Sequence, residues 1–150
     1  TKAALMEGVI VSTIIPALEK IGDAAGAEDG PAKERLARQM RIAAKRMASP
    51  EMAILLRHMI SGGEQAKPIV KFYYDKVVQL GLEHIQATLD YGVKTGEFRK
   101  EVSEIDPLVF VGAPVYTGVW NILFDDMQAL DDEKLIADYL DSVILGLLSK

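Results

Sequence analysis

The chain has 150 residues, no cysteine, one tryptophan and a formal net charge of −5. Without cysteine, disulfide scaffolds, thiolate zinc sites, iron–sulfur ligation and cysteine nucleophiles are excluded, and two histidines, His58 and His84, are too few for an imidazole metal site. A hydrophobic fraction of 49% beside 26% charged residues excludes wholesale disorder, and the length suits one ordinary domain with a sizeable core.

The charge is unevenly spread. Residues 1–100 hold 15 Lys/Arg against 12 Asp/Glu, a net of +3, and residues 101–150 hold 2 against 10, a net of −8. Six of the 17 basic residues fall between Lys33 and Arg46. The acidic balance argues against residues 1–150 touching nucleic acid themselves.

Alternating apolar and polar runs are absent, so the chain reads as helices. The first spans Lys2 to about Ile21, with Val9, Ile10 and Ile14 on one side and Pro16 expected to kink it. Gly22–Gly30 reads as a loop. Gly30-Pro31 opens a second helix, with Pro at its first position and Leu36, Met40, Ala44 and Met47 as its apolar stripe. Arg38, Arg41 and Lys45 form a separate basic stripe, read as a solvated face. Ser49-Pro50-Glu51 caps a short third helix that ends near Ser61-Gly62-Gly63.

The fourth helix is the longest, Pro68 to about Thr95, with Gly96 placed to close it. Val70, Tyr74, Val78, Leu82, Ile85, Leu89 and Val93 make a sustained helical stripe. A neighbouring row, which includes Tyr73, Val77, Gly81, His84, Thr88 and Gly92, mixes aromatic, small and polar groups. Asp106-Pro107 opens a fifth helix, uncharged from Pro107 to Phe124, and Asp131-Asp132-Glu133 opens a sixth.

The last two helices carry more apolar surface than one core requires. On the fifth, Leu108, Val111, Val115, Val119 and Ile122 cluster on one face, and Tyr116, Trp120 and Phe124 lie roughly 120° away. The sixth, including Leu140, Val143, Ile144 and Leu147, is apolar over roughly 220°, about twice the usual stripe. Such a hairpin, doubled by a two-fold axis, gives an intermolecular four-helix bundle. The predicted homodimer interface is therefore Leu108, Val111, Val115, Val119 and Ile122 with Leu140, Val143, Ile144 and Leu147. Gly112, Gly118 and Gly146 would permit close helix approach. A membrane span over Pro107–Phe124 is disfavoured by its short length, Pro114, Asn121 and acidic flanks.

The stretch from Ser49 to Arg99 joins SPEMAILLRHMI to a long helix ending in Gly96-Glu97-Phe98-Arg99; Asp106-Pro107 and a closing Ile144-Leu145-Gly146-Leu147-Leu148 follow. With the opening Lys2-Ala3-Ala4-Leu5-Met6, this pattern resembles the C-terminal regulatory domain of the tetracycline-repressor (TetR/AcrR) family over essentially the whole chain. The resemblance implies an all-α bundle of about six helices, antiparallel, with the last two forming the intermolecular four-helix bundle. It implies a ligand-responsive repressor, homodimeric and cytoplasmic, binding a small hydrophobic or amphipathic effector without cofactor or metal. Operator DNA is then contacted only by a helix-turn-helix outside these residues. The start at Thr1 agrees with residues 1–150 being the effector-binding and dimerisation domain.

The resemblance also implies a pocket enclosed by the first five helices. Candidate lining residues are Ile10 and Ile14 from the first helix, Met40 and Met47 from the second and Met59 from the third. Tyr73, Val77, His84 and Thr88 come from the fourth, and Tyr116 and Trp120 from the fifth. Methionines, with Met52 among them, suit permissive apolar binding, and small residues beside polar ones leave room and orient a ligand. Each also has an ordinary core role.

Catalytic patterns are missing. There is no Gly-rich phosphate loop, nucleophile elbow or His-Glu-x-x-His motif. Glu83 and His84 are adjacent, not spaced for a di-iron site, and His58 with Ser61 lacks an orienting acid. The chain is therefore read as a non-enzyme; the alternative is a helical carrier for apolar molecules with no DNA-binding role.

Overall fold

A computed structural model describes residues 1–26 and 30–150. Among these residues six helical rods follow in chain order. The first is α1, Lys2–Val9, which passes through a π-helical turn, Ile10–Ile14, into α2, Ile15–Gly26. Next come α3, Ala32–Met47, and α4, Pro50–Ser61. The fourth joins α5, Gly63–Tyr73, through a second π-helical turn, Tyr74–Val78, to α6, Gln79–Lys94. A 3₁₀ turn, Lys100–Glu104, precedes α7, Leu108–Leu123, and α8, Asp132–Leu147, closes the set. Among the described residues the fold is all-helical; the sole β feature is an isolated antiparallel bridge between Phe98 and Leu148. No helix among them is long and apolar enough to cross a membrane.

Sequence chemistry accounts for most helix starts. Thr1 Oγ1 accepts from Ala4 N at 3.1 Å, and Ser49 Oγ accepts from Met52 N at 3.3 Å. Asp106 Oδ1 accepts from Leu108 N at 2.9 Å and Asp131 Oδ1 from Lys134 N at 3.1 Å. Each satisfies an amide that the first helical turn leaves without a partner. α3 differs: Pro31 flanks it with no capping side chain, so the helix starts at Ala32 and not at the proline.

Three further boundaries differ from the sequence expectation. The first rod continues as helix to Gly26, so residues 22–26 are not loop; the rest of the expected loop, 27–29, lies outside the described residues. The irregularity attributed to Pro16 lies before it, as the π-helical turn in which Ile15 N bonds to Ile10 O. A proline ring crowds the carbonyl four residues back, here Ser12, and widening that turn keeps the helix going. The fourth rod starts at Gly63, not Pro68, because Gly63 at φ +53° makes the turn and Pro68 is carried inside α5.

α3 is the hub of the bundle, packing against α2, α4, α6, α7 and α8. Centrality explains why so polar a helix buries Arg35 and Gln39 with Leu36, Met40 and Ala44. The Arg35 guanidinium carbon lies 3.7 Å from the centroid of the Tyr91 ring, a cation–π contact. Arg38, Arg41 and Lys45 point to solvent.

The apolar side chains form two clusters. One joins Leu36 and Met40 to Ile85, Leu89, Phe98, Phe110 and Ile136. The other joins Ile10, Ile14 and Leu18 to Met47, Met52, Leu55 and Ile69. α3 runs through both, giving Leu36 and Met40 to the first and Met47 to the second.

Candidate functional site

The two clusters do not close fully on each other. A cavity of about 160 Å³ lies where they meet. Ile14 and Leu18 wall it from the first rod, Met40 and Met47 from α3, and Met52 from α4. Tyr73, Val77 and Ile85 come from the fourth rod, and Val111, Pro114 and Val115 from α7. Each π-helical turn contributes to the wall: Ile14 belongs to the first, and Val77 and Val78 to the second. Such turns recur where a helix is shaped around a site.

The wall is almost entirely apolar. Its polar side chains, among the described residues, are those of Gln39, Arg46 and Tyr73. Gln39 Nε2 donates to the His84 carbonyl at 3.3 Å, which ties α3 to α6. Burial pushes the Tyr73 phenol up to about 12, so it stays a neutral hydroxyl. Arg46 lies in the last turn of α3, where a cation meets the negative end of the helix dipole. It is the one charged residue among the described residues lining the cavity.

Five of the expected pocket residues line this cavity: Ile14, Met40, Met47, Tyr73 and Val77. The other six lie elsewhere. Ile10 is fully buried in the cluster beside it, and Met59 packs against that cluster. Thr88 is buried, and its hydroxyl donates to the His84 carbonyl at 3.4 Å. The His84 imidazole is wedged against α2, where a Cβ on Gly22 would stand 2.7 Å from its Cε1. Its Nδ1 is buried with no hydrogen-bond partner among the described residues. Tyr116 is exposed, and Trp120 Nε1 donates to the Gln128 carbonyl at 2.8 Å, which closes the turn after α7. His58, in the last turn of α4, is half-buried and accepts from Gly62 N through its carbonyl.

Gln39 and Arg46 were legible as neighbours of Met40 and Met47, because residues seven apart stack on one helical face. The solvated stripe of Arg38, Arg41 and Lys45 stops one residue short of Arg46, which the sequence pattern alone left unassigned.

The predicted dimer residues also divide. Leu108 and Val115 are exposed, and Val119 and Ile122 are half-buried. Val111, Val143 and Ile144 pack partly on the first cluster, and Leu140 and Leu147 are buried within it. α8 thus spends much of its wide apolar arc within its own chain, where it packs against α3 and α7. α7 keeps a free face: Leu108, Val109, Tyr116 and Leu123 are exposed large hydrophobics, with Val115 at its edge beside the cavity. They span an arc of roughly 120° with Gly112 among them. Gly112 and Gly146 face open space, whereas Gly118 lies against Met47 and Leu56 of the same chain.

No protein-family model, curated protein or solved structure matches this chain. Among the described residues no group of three or more His, Cys, Asp or Glu could hold a metal ion. What the arrangement offers chemically is a small apolar chamber with one cation and one hydroxyl in its wall. Among the described lining residues no nucleophile is paired with a base.

Proposed function

We propose that residues 1–150 are the effector-binding and dimerisation domain of a TetR-type, ligand-responsive transcriptional repressor in the cytoplasm. The observation that carries the reading is the cavity at the junction of the two apolar clusters, walled by five of the six rods. A ligand that fills it gains contact with the first rod through Ile14 and Leu18. Binding there shifts the position of that rod only so far as the ligand prefers one arrangement over the other. In the family that this chain resembles, the first rod of the regulatory domain follows the DNA-reading headpiece.

The free apolar face of α7 supports a two-fold dimer and favours a regulator over a monomeric carrier. On this reading α7 supplies most of the contact, and the flank of α8 near Tyr139 and Gly146 supplies the rest. Operator DNA is contacted by a helix-turn-helix outside residues 1–150, never by this acidic domain.

Two measurements test the proposal. The reading frame upstream of Thr1 is expected to encode a helix-turn-helix; a frame without one favours the carrier. Light scattering at tens of micromolar is expected to give twice the mass of the chain, and a strict monomer contradicts the dimer.

A further inference from the structure

The cavity volume suits a small ligand. An apolar chamber of about 150 Å³ takes a molecule as large as benzene, and this one, at about 160 Å³, is close to that. A single ring or a chain of about six carbons matches that volume, well below drug size.

The wall also bounds the ligand in charge. Arg46 forms no ion pair among the described residues, and its buried Nε has no hydrogen-bond acceptor there. A buried donor without an acceptor is costly, and a guanidinium matches a carboxylate in a two-pronged geometry. Lys45, its neighbour in the last turn of α3, supplies a cation to the helix end in any case. The dipole alone therefore does not require a second cation at the cavity wall. The Tyr73 hydroxyl adds a neutral donor in the same wall.

Resting on the effector-domain reading above, we propose that the ligand is a small carboxylic acid. Its apolar body fills the cavity, and its carboxylate is held by Arg46 with help from Tyr73. The remaining lining groups set shape only.

The test compares hexanoate with hexan-1-ol, which share chain length and differ in charge. Binding is followed by the methyl NMR signals of Met40, Met47 and Met52, which line the cavity. Hexanoate is expected to bind at least tenfold more tightly than the alcohol. Arg46→Met is expected to abolish or reverse that preference. Arg46→Lys, which keeps the charge and loses the fork, should retain an intermediate preference and covers the case in which Arg46→Met fails to fold. Equal binding of both probes overturns the carboxylate assignment and leaves the cavity reading standing. Binding of neither probe overturns both. Unchanged hexanoate affinity in Arg46→Met or Arg46→Lys also overturns the role of Arg46.

Discussion

Glu97 caps a helix that begins 65 residues earlier in the chain. Its carboxylate accepts the backbone N–H of Ala32, and that of Lys33 at 3.1 Å. α3 has no local cap because Pro31 precedes it, so the turn after α6 supplies one, and the negative charge suits the helix N-terminus. The neighbouring residues bind other parts. Phe98 is buried, with its N–H bonded to the Gly92 carbonyl at 2.9 Å. Arg99 donates through Nε to the Gly146 carbonyl at 2.7 Å and through its backbone to Leu147 at 2.9 Å. The Gly-Glu-Phe-Arg turn thus fastens α3, α6 and α8 together. Glu97→Ala is expected to cost about 1 kcal/mol, the usual loss of a helix cap. Urea denaturation checks this, and Glu97→Gln should lose less.

Gly92 permits the close approach that the same turn needs. A Cβ there would stand 2.2 Å from Phe98 Cδ2 and 2.7 Å from Cγ, too near the ring's base for rotation to relieve. Gly92→Ala is therefore expected to destabilise by about 1–3 kcal/mol, despite the better helix propensity of alanine. A melting temperature equal to that of the parent would show that Phe98 is not held as described.

Much of the fold was legible in particular residues. Ser49, Asp106 and Asp131 announced helix starts because their short side chains reach amides that need them. The cap on α3 was not legible, since Glu97 is remote in sequence and reaches Ala32 only after the bundle forms. Tyr73 and Val77 share a face of mixed composition, and both line the cavity. His84 sits in the same row, which also faces α2, and its imidazole lies against Gly22 and not in the cavity wall. Periodicity tells which residues face inward, not which inward neighbours leave a gap. Likewise the wide apolar arc of α8 signalled extra burial, but Leu140 and Leu147 find it within the same chain.

Tyr73 gives a pH signature. Its folded pKa of about 12 lies above the ordinary 10.0, through burial, so the folded state holds the proton longer than the unfolded chain does. Stability from this group is complete below pH 10 and falls as pH rises from about 10 to about 12. The loss is on the order of 2–3 kcal/mol. In a phenolate absorbance titration one of the five tyrosines is expected to ionise near pH 12, and Tyr73→Phe should remove that step. Burial also raises Tyr139, so the variant is needed to assign the step.

The outer face of α7 makes a separate claim. Val109 and Leu123 are each 58% exposed. Val109→Glu with Leu123→Lys is expected to convert a dimer to a monomer while changing protomer stability by no more than about 0.5 kcal/mol per site, as exposed substitutions do. Trp120 reports on this region, since it stacks edgewise on Tyr116 with centroids 6.0 Å apart. Its emission should respond to the double variant and not to filling of the cavity.

Methionine methyl NMR tests the cavity most directly. The chain has six methionines; Met40, Met47 and Met52 line the cavity, whereas Met127 is 82% exposed after α7. Titration with hexan-1-ol is expected to move those three signals together and saturably, with Met127 unmoved. Three unmoved lining signals at high hexan-1-ol, or a shift of Met127 alone, would contradict an effector chamber at the junction of the two clusters.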